Sequence, residues 1–489
     1  MKKRNLSLLV ISIFCLSCSE EEQSPFDQKF EAKTLRVDYY HTGDATTETV
    51  EIDEMYSYEN WAGSRVNLVS EFNYGSYFHR LYDEESGALI YSRSFDSYFK
   101  EYQTSTPAIE GEVKQFHESA IFPFPKVKAV FTLEKRQKDG EITQVFSQTI
   151  DPTNTSIAEA KKDPEVLVIT SQKNGDAQVK ADIAIVGEGY ADEDSEKFVE
   201  DLKRFTKIFF QAEPCKSNRD KFNIYGVLKT SIDSGVDEST HGIYKNTAVN
   251  ATFNSMGSER YLLTEDNKAL RDIAGHAPYD ALYIMVNHDR YGGGGIYNFY
   301  CTFTSDNIFS EYLMVHEFGH SFFGLADEYY SSSTAYNDFY PAGYEPIEPN
   351  ITALLDPQNV KWKNLLTEGI EMPTPWEKEL YDEGDAEWQE KRIVLNNKIA
   401  QLQSENTPQD SVDRVKQEYD LMSKAASDAS QEYLGNSKYA GMVGAFEGAG
   451  YSSTGLYRSS VNCIMFTKTN YFCPVCADAM QNTIDWYSK

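Results

Sequence analysis

The sequence predicts two domains in tandem: an all-β sandwich, then a larger domain of α/β (α+β) class with a largely parallel sheet. Three observations carry this. Residues 27–150 break into short aromatic and β-branched runs separated by Gly, Asn, Asp or Pro. From residue 182 onward, apolar strand-like runs alternate with helical patterns. A chain of 489 residues is also too long for one hydrophobic core.

Taken in order, the chain opens with a targeting signal over residues 1–18. Lys2, Lys3 and Arg4 precede an apolar run, 6–16, which is too short for a permanent membrane span and suits a signal h-region. It ends in Leu16-Ser17-Cys18, which resembles a lipobox with Cys15 where an aliphatic residue is usual, and Ser19-Glu20-Glu21-Glu22 follows. The expectation is export, lipidation of Cys18 and a surface-exposed outer-membrane lipoprotein, with ordinary secretion as the alternative. Residues 19–26 form a tether. In the sandwich, 27–150, the runs 35–40, 64–72, 76–83, 88–94 and 127–135 read as strands, and 151–163 as a linker. The second domain, 164–489, offers strands at 182–186, 222–228 and 281–286 and a helix at 192–211. Gly187-Glu188-Gly189 lacks the third glycine of a dinucleotide loop. The glycine run 292–295 precedes 296–301, read as the strand bordering the site. Its Ile296, Tyr297 and Asn298 would offer an edge to an extended peptide. Residues 375–434 give two helical stretches broken near Asn406-Thr407-Pro408, an inserted hairpin.

A formal charge of −30 argues against nucleic acid or an anionic membrane surface as partner, because phosphate binding needs clustered Lys and Arg. Beyond the signal, five cysteines remain: Cys215, Cys301, Cys463, Cys473 and Cys476. An exported protein can hold one or two disulfides among them, leaving a thiol over. Cys473-Pro-Val-Cys476 begins the terminal segment instead of following an early strand, which argues against a thioredoxin-like motif. A second zinc site there would need two more ligands, and Cys463 alone lies near in sequence.

The chemistry is concentrated in HEFGHSFFGLADEYY, 316–330. H-E-x-x-H on a helix places His316 and His320 one turn apart on one face, aimed at one metal ion, with Glu317 beside it as general base. Ser305 or Asp306 is the expected N-cap, and Gly324 ends the helix. In metzincins a glycine after the motif is followed three residues on by the third ligand, a His. No His follows His320 here, so Asp327 at that step becomes the third ligand, with Glu328 as fallback. Glu345 and Glu348 lie in a Ser/Tyr/Pro-rich run that does not read as helix.

Together with AFEGAGYSSTGLYR (445–458), Asn462-Cys463-Ile464-Met465-Phe466 and Tyr471-Phe472-Cys473-Pro474-Val475-Cys476, this block resembles the IgA peptidase family of bacterial zinc metallopeptidases. The resemblance implies a metzincin-like catalytic domain behind a β-rich one. Met465 would form the apolar floor beneath the metal, and Tyr457 is a candidate donor to the developing oxyanion. The expected activity is an exported endopeptidase with one Zn2+ held by His316, His320 and Asp327. Its substrates would be peptides or proteins, host glycoproteins such as immunoglobulin A among them. The rival readings are a catalytically silent surface binding protein for glycan or host protein, and a zinc deacetylase or other amidase.

Overall fold

The amino-terminal strands build two sheets, antiparallel but for one short pair, whose apolar faces meet. The computed structural model describes residues 24–331, 340–405 and 407–489. The signal, the start of the tether and the proposed lipidation site at Cys18 therefore lie outside the described residues. Helix α1 (Pro25–Lys29) starts where the Ser24 hydroxyl accepts the Asp27 N–H. Strands β1 (Phe30–Gly43), β2 (Glu48–Tyr58), β3 (Tyr77–Asp83) and β4 (Leu89–Phe95) follow, then the short helices α2 (Tyr98–Gln103) and α3 (Thr106–Ile109). After them come β5 (Lys114–Pro125), β6 (Ala129–Arg136), β7 (Ile142–Ile150) and β8 (Ile157–Glu159). The sheets run β5-β1-β2-β8 and β4-β3-β6-β7. Leu35, Val37, Tyr39, Phe122 and Phe131 fill the space between them.

Two sequence expectations change here. Residues 64–72 are not a strand: the Ser64 hydroxyl accepts the N–H groups of Val66 and Asn67, and Ser70 that of Phe72, so the chain turns locally. The stretch read as linker contributes β8, paired in parallel with β2 at Met55 and Ile157.

The second domain contains β9 (Leu167–Gln172), β10 (Ala181–Glu188), α4 (Ser195–Phe209) and β11 (Phe222–Leu228), then the two-residue strands β12 (Thr252–Phe253) and β13 (Leu262–Leu263). Helix α5 (Asn267–Ala274), β14 (Ala281–Val286), β15 (Gly293–Ile296), β16 (Tyr300–Thr304) and α6 (Ser310–Ser321) complete its first part. The sheet order is β15-β16-β14-β10-β11-β9; the interior pairs are parallel and both edge strands antiparallel. The interior strands are buried along their whole length, as a sheet covered on both faces requires. On one face α4 and α6 interlock through Phe205, Phe209, Phe303 and Phe318. On the other, Tyr98, Phe99 and Phe116 of the sandwich domain share a core with Leu270 and Ile284. The sandwich is thus fused to the sheet, with Arg36 clamped between Asp38 and Asp272 at 2.5 and 2.6 Å.

Strand β17 (Ile351–Thr352) precedes the hairpin of α7 (Lys378–Ser404) and α8 (Gln409–Gly435), which meet through Trp388 and Tyr419 and bury Leu395 and Val412. Strands β18 (Phe446–Ala449) and β19 (Ser452–Arg458) form a small sheet in the order β17-β19-β18, and α9 (Pro474–Tyr487) ends the chain. No helix among the described residues is long and apolar enough to cross a membrane.

Candidate metal centre and cleft

Helix α6 begins one turn later than its sequence suggests. Ser305 donates its N–H to Val286, Asp306 pairs with Lys197 at 2.9 Å, and the Asn307 side chain turns the chain by accepting the Phe309 N–H. At the far end Leu325 N–H reaches the Gly319 carbonyl and Gly324 N–H that of His320, with Gly324 at φ 63°. The Gly324 bond, four residues back, is that of an αL helix end, where glycine takes the left-handed conformation without strain, and the Leu325 bond, six residues back, widens the last turn. The reversal brings Asp327 back beneath the helix.

Three donor atoms meet as a result. His316 Nε2 and His320 Nε2 stand 3.2 Å apart, and Asp327 Oδ1 lies 3.2 and 3.1 Å from them. Such a triangle is one face of a tetrahedron whose centre lies about 2 Å from each corner, the bond length zinc takes to imidazole and carboxylate. Protonation agrees with the geometry. His316 Nδ1 faces the Ile464 carbonyl at 3.0 Å and His320 Nδ1 faces that of Leu325 at 2.6 Å. Each Nδ1 therefore carries the proton, and both Nε2 lone pairs point at a carboxylate oxygen that is buried without a hydrogen-bond partner. Three converging acceptors repel one another unless a cation lies between them, so these residues fit a divalent metal with an open fourth position.

The return segments support this cradle. Met465 Sδ lies directly under Gly319, where an added methyl would sit 2.8 Å from the sulfur. Asp327 Oδ2 accepts the Tyr451 hydroxyl, while Gly450 N–H donates to the Asp327 carbonyl and Tyr451 N–H to that of Tyr329. Tyr451 is held at φ 63°, an uncommon conformation for a bulky residue. Glu317 is buried, with its carboxylate against Gly293, and burial raises its carboxyl above the usual range.

Around the metal cradle a cavity of about 120 Å³ is walled by β15, Arg260, Tyr329 and Glu348, and by Tyr74 and Asp96 of the sandwich domain. A groove of about 550 Å³ along the α7–α8 hairpin reaches the same place at Arg260, Tyr291, Tyr312 and Tyr329. A larger cavity, about 1200 Å³, lies at the junction of the two domains and touches none of the converging donors. Chemistry therefore marks the smaller one.

Several sequence assignments move. Tyr457 lies next to the end of β19, opposite Thr352 and Glu447, and does not line the cleft; the tyrosine of that loop which reaches the site is Tyr451. The edge strand is the glycine run ending at Ile296, while Tyr297 and Asn298 form the turn after it, with Asn298 at φ 51°. Glu328 faces away from the histidines, 3.4 Å from Cys476 Sγ. Glu348, set aside in the sequence, lines the cleft and accepts the Tyr340 hydroxyl at 3.1 Å. The five cysteines are all free thiols. Arg260 carried no sequence signal, and only its place in the 316–330 block marked Tyr329.

Comparison with protein families matches residues 169–484 to the model described as IgA Peptidase M64 and residues 25–147 to Peptidase M64 N-terminus. Among curated proteins nothing matches.

Proposed function

Because the chain belongs to the IgA peptidase M64 family along nearly its whole length, it is a peptidase, and we propose that it is an exported zinc endopeptidase of metzincin-like architecture. The observation that carries the reading is the donor triangle of His316, His320 and Asp327, whose edges fit tetrahedral zinc. His316, His320 and Asp327 would hold zinc, which would supply Lewis acidity and bring the pKa of a water to about 7. Glu317 takes the proton of the attacking water and passes it to the leaving amine. Its burial beside Gly293 keeps bulk water from competing for that proton.

Strand β15 aligns the substrate. Gly292 and Ile296 direct their carbonyls toward β16 and its turn, so by alternation Gly293 and Gly295 face the outer edge. Gly293 N–H is taken by the Arg260 carbonyl at 3.3 Å, which leaves Gly295 to pair with an extended peptide. The cleft continues into the groove along α7–α8, and a site with chain running through it cuts internal bonds. Lipidation at Cys18 would display the enzyme on the outer membrane, where exported or host glycoproteins such as immunoglobulin A are the accessible substrates.

Peptide-library cleavage profiling, with and without chelator, tests this. Internal cleavage lost on chelation and absent from Glu317→Ala, with zinc retained by that variant, is the expected outcome. Release of single terminal residues, or cleavage by the variant, would refute it.

A further inference from the structure

On the far side of the Asp327 loop lies a second group of acids that the peptidase reading does not use. Glu328, Cys463, Cys473 and Cys476 place one ligand atom each within 4.8 Å of all the others, and all four side chains are buried. We propose that these four residues form a second, closed zinc site that braces the catalytic one.

The distances fit metal and exclude a disulfide. Cys463 Sγ and Cys476 Sγ are 3.7 Å apart, whereas a bonded pair stands at about 2.05 Å. Tetrahedral zinc with Zn–S bonds of about 2.3 Å separates its sulfurs by about 3.8 Å. The corresponding S···O spacing is about 3.5 Å, and Cys476 Sγ to Glu328 Oε1 measures 3.4 Å. Donors are also aimed at the sulfurs. Cys473 N–H points at Cys463 Sγ at 3.3 Å, Cys476 N–H at Cys473 Sγ at 3.5 Å, and the Ser459 hydroxyl lies 3.2 Å from Cys473 Sγ. Cys473 caps α9, where the helix N-terminus favours thiolate.

Buried free cysteines are common as small apolar side chains, so three thiols alone would mean little. Glu328 decides the matter. It is fully buried, its Oε1 accepts from Asn350 at 3.1 Å and lies 3.4 Å from Cys476 Sγ, and its Oε2 has no hydrogen-bond partner. Ionised, a carboxylate buried in that setting needs a cation beside it. Three sulfurs and one oxygen select zinc over the hard cations calcium and magnesium. Arg458, stacked on Phe466 at 3.9 Å and acting electrostatically on Glu328, offsets part of the surplus negative charge of such a centre.

The position assigns a role. Glu328 follows Asp327 and donates its N–H to the Met465 carbonyl at 2.8 Å. Cys463 precedes Ile464, whose carbonyl orients His316. Cys473 and Cys476 belong to α9. One ion would therefore tie together the aspartate loop, the methionine turn and the last helix, with four protein ligands and no open position. That is the composition of a structural site, in contrast to the three-ligand centre beside it.

The test is zinc analysis and zinc X-ray absorption on the unmutated full-length chain purified under reducing conditions. Two zinc ions per chain and a Zn–S shell at about 2.3 Å are expected. No sulfur belongs to the His316, His320 and Asp327 set, so that shell reports the second site alone. His316→Ala/His320→Ala should keep one zinc with the sulfur shell intact, and Cys473→Ser/Cys476→Ser should lose the shell. A chain with no Zn–S scattering, or one whose unreduced mass shows a disulfide among these cysteines, would overturn the proposal. The histidine variant separates the two sites, since failure of the catalytic reading leaves the sulfur shell unaffected.

Discussion

Replacing Gly295 by Ala should damage catalysis more than folding, and the size of the effect follows from one contact. A methyl group there would lie 2.4 Å from the Glu317 carbonyl oxygen and 2.9 Å from His320 Cβ, where ordinary contact begins at 3.4 Å. Neither obstacle is the free end of a side chain, so β15 and α6 must separate by about 1 Å, the difference between 3.4 and 2.4 Å. Overpacking of this kind costs about 1–3 kcal/mol of stability. A displacement of about 1 Å between substrate strand and reacting centre costs on the order of 100-fold in rate. Gly294→Ala is the internal control, because its methyl would meet the end of the Leu263 side chain, which can rotate away. Both variants should be assayed for kcat/KM on an internally cleaved peptide, for zinc content and for Tm. Gly295→Ala retaining zinc while losing about two orders of magnitude in kcat/KM, against a small loss in Gly294→Ala, is expected. Equal activity in the two variants would refute the idea that β15 is registered on α6 through its glycines.

Asp327→Ala should abolish zinc binding at the histidines, which metal analysis and loss of peptide cleavage will show. Tyr451→Phe removes the hydroxyl that orients Asp327 Oδ2 and should weaken zinc affinity by about 10–100-fold in competition with a chelator, with Tm little changed. Cys18→Ala should release the protein from the membrane fraction and remove the lipid mass from its amino terminus. The paired Asp182 and Asp280 carboxyls are both raised, by burial first and, for Asp182, by its neighbour's charge. A raised folded-state value favours the protonated form, so this contribution is full below about pH 4 and is lost as the pH rises, by about 1.4 kcal/mol for each pH unit and proton. Asp182→Asn should accordingly raise Tm more at pH 8 than at pH 5, measured by thermal melts at both.

Legibility in the sequence followed burial and chain separation. Strands β10, β11 and β14 lie close to the apolar runs at 182–186, 222–228 and 281–286 because a strand buried on both faces must be apolar throughout. Strands β2, β5 and β7 escaped the same reading. Strand β2 carries four acids at 48, 51, 53 and 54, and β5 contains Pro123 and Pro125, which look like terminators but pair with Thr34 and Phe30 at one end of β1. The histidines share one helical turn and were therefore visible together. Tyr451 meets Asp327 across 124 positions, and Cys476 meets Glu328 across 148, distances at which no spacing rule operates. Glu328 was weighed as a substitute for Asp327; the fold sends the two neighbouring carboxylates to different centres.

A long insertion between Asp327 and Met465 ought to endanger a site that needs both, and the hairpin avoids this by ending where it begins. The Tyr433 hydroxyl donates to the Glu377 carbonyl at 3.2 Å and Tyr381 Oη lies 3.1 Å from Ser430 Oγ, so the first turn of α7 and the last of α8 are side by side. The chain re-enters β18 close to the point at which it left, as Thr374 N–H bonded to the Ala445 carbonyl at 2.8 Å shows. Length added to such an arm extends it without moving its base. What the arm does touch is the groove: Lys416 reaches Asp289 at 3.2 Å, and Gln431 holds the Lys468 carbonyl at 2.9 Å. Changes along α7 and α8 are therefore transmitted to the wall that substrate passes, while the metal cradle stays fixed by the aspartate loop, the methionine turn and α9.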